Sequence, residues 1–253
     1  MSEAHGPDEP FLDELEQLRI HTNRVIQETE RAVRVTSTVA ALAAAGVGRD
    51  PLRPDVVSVI DFTPANHRYG AVHADLATLP PGLQRHGAVH CLEHLEALAD
   101  LVKTRAPDDA YTVDLVADCR FVILNGLHRC RGLDASPYGY GAAGVGVPLD
   151  FLLKEGSEAG VFVIATIDTG GLRRVHRDIL NQFGIVLTRR HSESYDGRVG
   201  ALVGRPTSRL RDGQALLVDD GHMTRLRPYE IPPPGWLEAF GRTLPPVWPP
   251  TAS

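Results

Sequence analysis

Apolar residues recur along the chain with two periods. Between Phe11 and Ala45, Phe11, Leu12, Leu15, Leu18, Val25, Ile26 and Val33 fall at helical spacing, with no Pro or Gly between them. This predicts one long helix, or two broken near His21-Thr22-Asn23, stopped by Gly46, Gly48 and Pro51. The pattern then becomes short continuous runs: Val56–Ile60 ending in Asp61, Phe121–Leu124 followed by Asn125-Gly126, Val161–Ile167, and Ile185–Thr188. Runs of this length without alternation suit strands buried on both faces. Helices are expected at Val89–Arg105, Pro148 to about Glu155, and Leu172–Phe183. Near the end, Ala215–Val218 and Met223–Leu226 flank Asp219-Asp220-Gly221, a hairpin signal.

Strands alternating with helices predict an α/β fold with three layers, a mostly parallel sheet covered on both faces. Three segments are expected: a helical N-terminal segment at 1–48, the α/β domain at 49–231, and a Pro-rich tail at 232–253 running extended over the surface.

Composition narrows the class. The chain is 43% hydrophobic and 23% charged, the balance of a globular protein with a substantial core. No apolar run reaches the ~18 residues that cross a bilayer, so membrane insertion is not expected. The acidic, polar start MSEAHGPDEP is unlike a signal peptide, and three cysteines are too few for a disulfide framework; both fit a reducing cytoplasm. The net charge of −6 hides an asymmetry: residues 1–118 carry 10 basic against 19 acidic side chains (−9), and residues 119–253 carry 16 against 13 (+3). All but two of the cations, Lys103 and Lys154, are arginines, which favour forked contacts to phosphate or carboxylate.

Two short motifs suggest chemistry. Gly139–Gly144 matches G-x-G-x-x-G, but Ser136-Pro137 precedes it where a dinucleotide site needs a strand, so it reads as a loop. His90-Cys91-Leu92-Glu93-His94 matches H-x-x-E-H, and on a helix His90 and His94 would share a face. A zinc hydrolase built on His90, Glu93 and His94 would need a further ligand, with Glu96 and Asp100 nearby; the competing reading is an ordinary structural helix.

Four stretches resemble the FtsK/SpoIIIE branch of the P-loop translocase ATPases, within the HerA/FtsK superfamily. RFVILNGLHRCR (120–131) stands where that family has its Walker B strand. LLKEGSEAGVFVIATID (152–168) resembles the next helix and strand, and FGIVLTRR (183–190) the strand after. Ser194–Tyr229 resembles the family's ending in order and spacing over some 35 residues. The resemblance implies a P-loop NTPase-like fold for roughly Val56–Tyr229.

The residues that would perform phosphate chemistry are missing. G-x-x-x-x-G-K-[ST] occurs nowhere, and neither lysine follows a glycine loop. At the Walker B position, where a carboxylate organises Mg²⁺, the chain has Asn125-Gly126, with Arg129 in the turn after it. Asp168-Thr169 occupies the sensor-like position, and Asp168 also reads as an N-cap for the next helix. By the resemblance, Arg189, Arg190, Arg198 or Arg205 would reach a neighbouring subunit's nucleotide or nucleic-acid phosphates; the alternative is a solvated arginine surface. The expectation is a degenerate domain that does not hydrolyse ATP alone and needs no cofactor. ATP and Mg²⁺ would enter only if a partner completed the site. Such a domain would serve a DNA or protein translocase as a structural or regulatory subunit, joined to a protein partner or its own copies, with nucleic-acid contact left open. The alternatives are a component with weak ATP or DNA affinity, and the metal hydrolase.

Overall fold

In the computed structural model, the residues described are 56–62, 83–105, 119–138, 144–189, 193–204, 207–211 and 213–227, together with Gln17, Thr38, Leu42, Ala239 and Arg242. The expected N-terminal segment lies outside them except for Gln17, Thr38 and Leu42, which are helical. Within the Pro-rich tail, Ala239 and Arg242 are helical rather than extended. They sit in the Gly235–Leu244 stretch, which lacks proline and so permits a helical turn.

Three of the four apolar runs become parallel strands. β1 (Val57–Asp61), β3 (Arg120–Asn125) and β4 (Val161–Thr166) form a four-stranded sheet with β2 (Leu83–Gly87), in the order β2-β1-β3-β4. β2 carries the polar sequence LQRHG, gives no apolar signal, and lies at the edge with β1 as its partner. β3 lies between β1 and β4, and its Val122, Ile123 and Leu124 have no exposed surface. Each such Ile or Leu contributes about 1.5–3 kcal/mol through burial.

Helix α1 (Cys91–Arg105) buries Cys91, Leu95, Leu98, Ala99 and Val102, a stripe at helical spacing, and α2 (Gly146–Glu155) buries Leu149 and Leu152 beside it. Both pack on the face of the sheet formed by Ile60, Val122 and Leu124. Val57, Val59 and Ile123 on the opposite face are also buried, as expected for a sheet covered on both sides. Gly156 must be glycine at the end of α2: a Cβ there would lie 2.3 Å from the Leu152 carbonyl oxygen and 2.7 Å from that of Val161.

The last third departs from the predicted pattern. The single helix expected over Leu172–Phe183 is a 3-10 turn at Thr169–Arg174, an extended Val175-His176, and the four-residue α3 (Arg177–Leu180). His176 breaks the helix in two by serving as the N-cap of α3, its ring Nδ1 accepting from the Asp178 N–H at 3.3 Å. β5 (Ile185–Arg189) does not extend the parallel sheet. It pairs antiparallel with β6 (Ala215–Asp219), and β6 with β7 (His222–Leu226), in a second, three-stranded sheet. The predicted hairpin turns at Asp220 and Gly221, both with positive φ (43° and 76°), the geometry that Asp-Gly favours. Helix α4 (Glu193–Val203), not foreseen because ESYDGRVGALV has weak periodicity and two glycines, packs Val199 and Val203 against Leu210 and Leu216.

Candidate functional site

Parallel pairing places all four strand ends at one edge of the sheet, where open α/β folds bind ligands. The register sets Gly87 beside Asp61, Asp61 beside Asn125, and Asn125 beside Thr166. Three polar side chains therefore stand side by side at the carboxyl ends of β1, β3 and β4.

They are linked. The Asn125 amide donates to Asp61 Oδ1 at 3.0 Å. Thr166 Oγ1 donates to Asn125 Oδ1 at 2.8 Å and accepts from the Gly126 N–H at 2.9 Å. Asn125 is only 4% exposed, so its amide is committed to the protein interior on both sides. Gly126 turns the chain sharply with a left-handed backbone (φ 77°, ψ 41°) into the 3-10 turn Leu127–Arg129.

That turn carries His128, which is 7% exposed, and the half-buried Arg129. His128 faces Asp168: its Nε2 lies 3.3 Å from Asp168 Oδ2, and its Nδ1 accepts from the Asp168 N–H at 3.4 Å. Nδ1 can accept only when unprotonated, which assigns the neutral Nε2–H tautomer. Asp168 does occupy the N-cap position of the following 3-10 turn, but its side chain makes no capping bond there. The carboxylate is directed at His128 instead. Gly171 closes over the ring, so near that a Cβ would fall 2.2 Å from His128 Cγ.

Asn125, Gly126, Arg129 and Asp168 thus gather at the strand ends, with Thr169 opening the turn after Asp168. Sequence reasoning missed Asp61, Thr166 and His128. A signal existed for Asp61, which ends the β1 run as Asn125 ends the β3 run. The partnership with Asn125 depends on register, which one strand alone does not state. Among the predicted arginines, Arg189 ends β5 and Arg198 lies in α4, both outside the parallel sheet; Arg190 and Arg205 fall outside the described residues.

The lysines are engaged elsewhere. Lys103 pairs with Asp100 at 2.8 Å on α1. Lys154 pairs with Asp150 at 2.9 Å on α2 and bonds the Tyr138 hydroxyl. A Mg-nucleotide site needs a carboxylate at the end of the central strand and a lysine for the phosphates. Here the strand-end position holds a locked amide and the lysines belong to helix ion pairs. The described residues do not fit that group.

The H-x-x-E-H residues have different surroundings. His90, in the 3-10 turn ahead of α1, lies 3.8 Å from the Glu93 carboxylate on the surface. His94 turns inward to Ser58 Oγ at 2.9 Å. Among the described residues, no group of three or more His, Cys, Asp or Glu side chains is placed to hold a metal ion.

The His94 ring lies against His86, with centroids 4.3 Å apart and the planes tilted by 31°. Burial lowers the His86 pKa below its ordinary value, His90 lowers it further, and Glu93 partly opposes them. A histidine whose folded pKa is depressed leaves stability intact above its unfolded pKa of about 6.5 and erodes it as pH falls toward the folded value. Denaturant unfolding should therefore show stability declining from about pH 7.5 to about pH 5.5. His86→Phe, which keeps an aromatic ring on His94 and removes the titration, should flatten part of that decline; an unchanged slope would assign it to other groups.

Comparison with known proteins gives the fold a place. No protein-family profile matches the sequence, and no curated protein does. Solved structures do match. The pCW3 conjugation coupling protein TcpA, solved as a monomer with ATPγS, superposes at a TM-score of 0.52 and 10% identity, over 70% of this chain and 52% of TcpA. ATPases 2 and 3 of EssC from Geobacillus thermodenitrificans superpose at 0.56 and 14% identity, over 83% of this chain and 40% of that one. The chain has the fold of an FtsK-type P-loop ATPase domain. It spans about half or less of the length of these two structures. Within the FtsK-type fold, the Asp61–Asn125–Thr166 line lies at the carboxyl edge of the parallel sheet, with Asn125 ending the strand that resembles Walker B. No helix among the described residues is long and apolar enough to cross a membrane.

Proposed function

We propose that this chain is a catalytically silent FtsK-type module, a cytoplasmic structural or regulatory subunit that docks on an active translocase ATPase or on its own copies. The observation that carries this reading is the state of Asn125. At the end of the strand that resembles Walker B stands a buried amide, donating to Asp61 and accepting from Thr166. The absent G-x-x-x-x-G-K-[ST] loop is an independent loss of the same chemistry. With both gone, the retained scaffold would act through its surfaces, and the polymer moved by the partner would be DNA or protein.

An ATPase assay on the full chain, with millimolar ATP and Mg²⁺, tests this reading. The expected result is no turnover above buffer and no thermal shift with nucleotide. Turnover that is lost on Asp61→Ala or Asp168→Ala would overturn the silent-module reading. A second reading, a component with residual nucleotide affinity, is favoured by the Thr166, Asp168 and Arg129 groups kept at the strand ends. It predicts nucleotide-induced stabilisation without turnover, abolished by Asp168→Ala or Arg129→Ala.

A further inference from the structure

Backbone contacts draw two arginine-bearing stretches together. Gly171, in the 3-10 turn Thr169–Arg174, closes on His128, and the His176 N–H donates to the Leu133 carbonyl. The stretch that leaves the candidate site through Arg131 therefore runs against the one that carries Arg173, Arg174 and Arg177. All four arginines are exposed, and among the described residues no ion pair or side-chain hydrogen bond engages any of them. Stretches 131–134 and 169–180 hold two acids. Asp178 is taken by Ser136 and His176, at 3.2 and 3.3 Å, which leaves exposed Asp134 to offset the four cations. A surface of opposite sign lies on α1. Glu93, Glu96 and Asp100 recur at i, i+3 and i+7, so they share one face of the helix, and all three are exposed. Glu93 lies 3.8 Å from His90 and Asp100 pairs with Lys103, while Glu96 makes no such contact among the described residues. The two surfaces fall on either side of the chain's charge division, −9 over residues 1–118 and +3 over 119–253.

We propose, on the reading that this chain acts through its surfaces, that the patch of Arg131, Arg173, Arg174 and Arg177 receives the Glu93–Glu96–Asp100 face of α1 from a second copy. Guanidinium forks take carboxylates through two parallel bonds, so arginines without internal partners suit a row of carboxylates. Nucleic acid is the other polyanion such a patch could hold. The net charge of −6 opposes the approach of a long polyanion, whereas a second copy offers its acidic half and keeps its basic half away. Because the two surfaces differ, the contact is heterologous: each copy has one patch and one acidic face, and copies add head to tail into a chain or a ring. Charge pairs of this kind fix orientation and encounter rate more than affinity, so the association is weak and sensitive to salt.

Sedimentation velocity of the full chain over a concentration series tests the contact. At about 50 mM salt the sedimentation coefficient should rise with concentration, and at about 500 mM salt it should not. Arg173→Glu with Arg174→Glu should weaken self-association by roughly tenfold or more, as should Glu93→Lys with Glu96→Lys. An equimolar mixture of the two variants should associate again, because each supplies the surface that the other has reversed. That recovery also shows that both variants fold. A wild-type chain that stays monomeric at low salt would overturn the proposal, as would association that survives either pair of reversals or a mixture that fails to associate. Capture of a short DNA duplex that is lost on reversing Arg173 and Arg174, without self-association, would assign the patch to nucleic acid instead. The silent-module reading fails separately, by ATP turnover, which sedimentation does not register.

Discussion

Asn125→Asp should cost roughly 3 kcal/mol of stability at pH 7.5, the scale of an uncompensated charge in a buried network. The Asn125 amide now donates to Asp61 at 3.0 Å in a position only 4% exposed. A carboxylate there would bring two negative charges to that distance and remove the donor between them. Two carboxyl groups so placed do not ionise together easily, so the new group's folded pKa rises above the unfolded value of about 3.9. The sign follows: the deficit is full above the raised folded pKa, shrinks as pH falls through it, and disappears near the unfolded value. Once protonated, the introduced carboxyl would have an O–H to give to Asp61, restoring the bond. Urea unfolding at about pH 7.5 and about pH 5 measures both limits, and the exchange Asp61→Asn with Asn125→Asp should recover part of the loss by reversing donor and acceptor. A single variant as stable as wild type at the higher pH, or a deficit independent of pH, would contradict the network. The variant also sets a carboxylate at the end of the strand that resembles Walker B. With no phosphate loop beside it, the expected ATPase activity remains zero.

The same network explains which parts of the molecule were legible in the sequence. The three apolar parallel strands announced themselves because burial on both faces demands continuous apolar residues, as in FVIL at 121–124. β2 did not, because an edge strand with the polar sequence LQRHG makes no such demand. The helix expected over Leu172–Phe183 had the right apolar residues, but its interruption depends on His176 capping Asp178, a local bond that periodicity does not register. The hairpin was legible down to its turn residues, since Asp-Gly is a local requirement of the turn itself. At the site, Asn125, Gly126, Arg129 and Asp168 were singled out because they stand where the resembled family's pattern has functional groups. Asp61 and Thr166 are defined by their neighbours across the sheet, so the amide's locking partners emerged only with the register. The H-x-x-E-H motif illustrates the converse. Five residues in the right order gave a helix start, but His94 bonds Ser58 on β1 while His90 faces Glu93 on the surface.

Gly171→Ala should be the most disruptive single-methyl addition at this site, with an expected loss of about 2–3 kcal/mol. The added Cβ would lie 2.2 Å from Cγ and 2.5 Å from Cβ of His128, well inside van der Waals contact. His128 is 7% exposed and lies beside Leu127, which has no exposed surface, so the ring has little room to retreat. Its withdrawal would break the contact from Nε2 to Asp168 Oδ2 at 3.3 Å and leave the Asp168 N–H without its Nδ1 acceptor at 3.4 Å. The clash is with a side chain, which makes it separable from a backbone effect. In a double-mutant cycle, His128→Gly removes Cγ, Cδ2 and also the Cβ that alanine would leave 2.5 Å away, so Gly171→Ala should cost far less in that background, and the two losses should not add. Additive losses would mean that Gly171 is required by its own backbone. Gly171 N–H donates to the Asp168 carbonyl at 2.8 Å in the 3-10 turn, so a backbone requirement would register as slower formation or fraying of that turn in both backgrounds. Non-additivity would place His128, Asp168 and Gly171 in one packed unit, the rigid floor beside Asn125 on which any ligand or partner at the strand ends would rest.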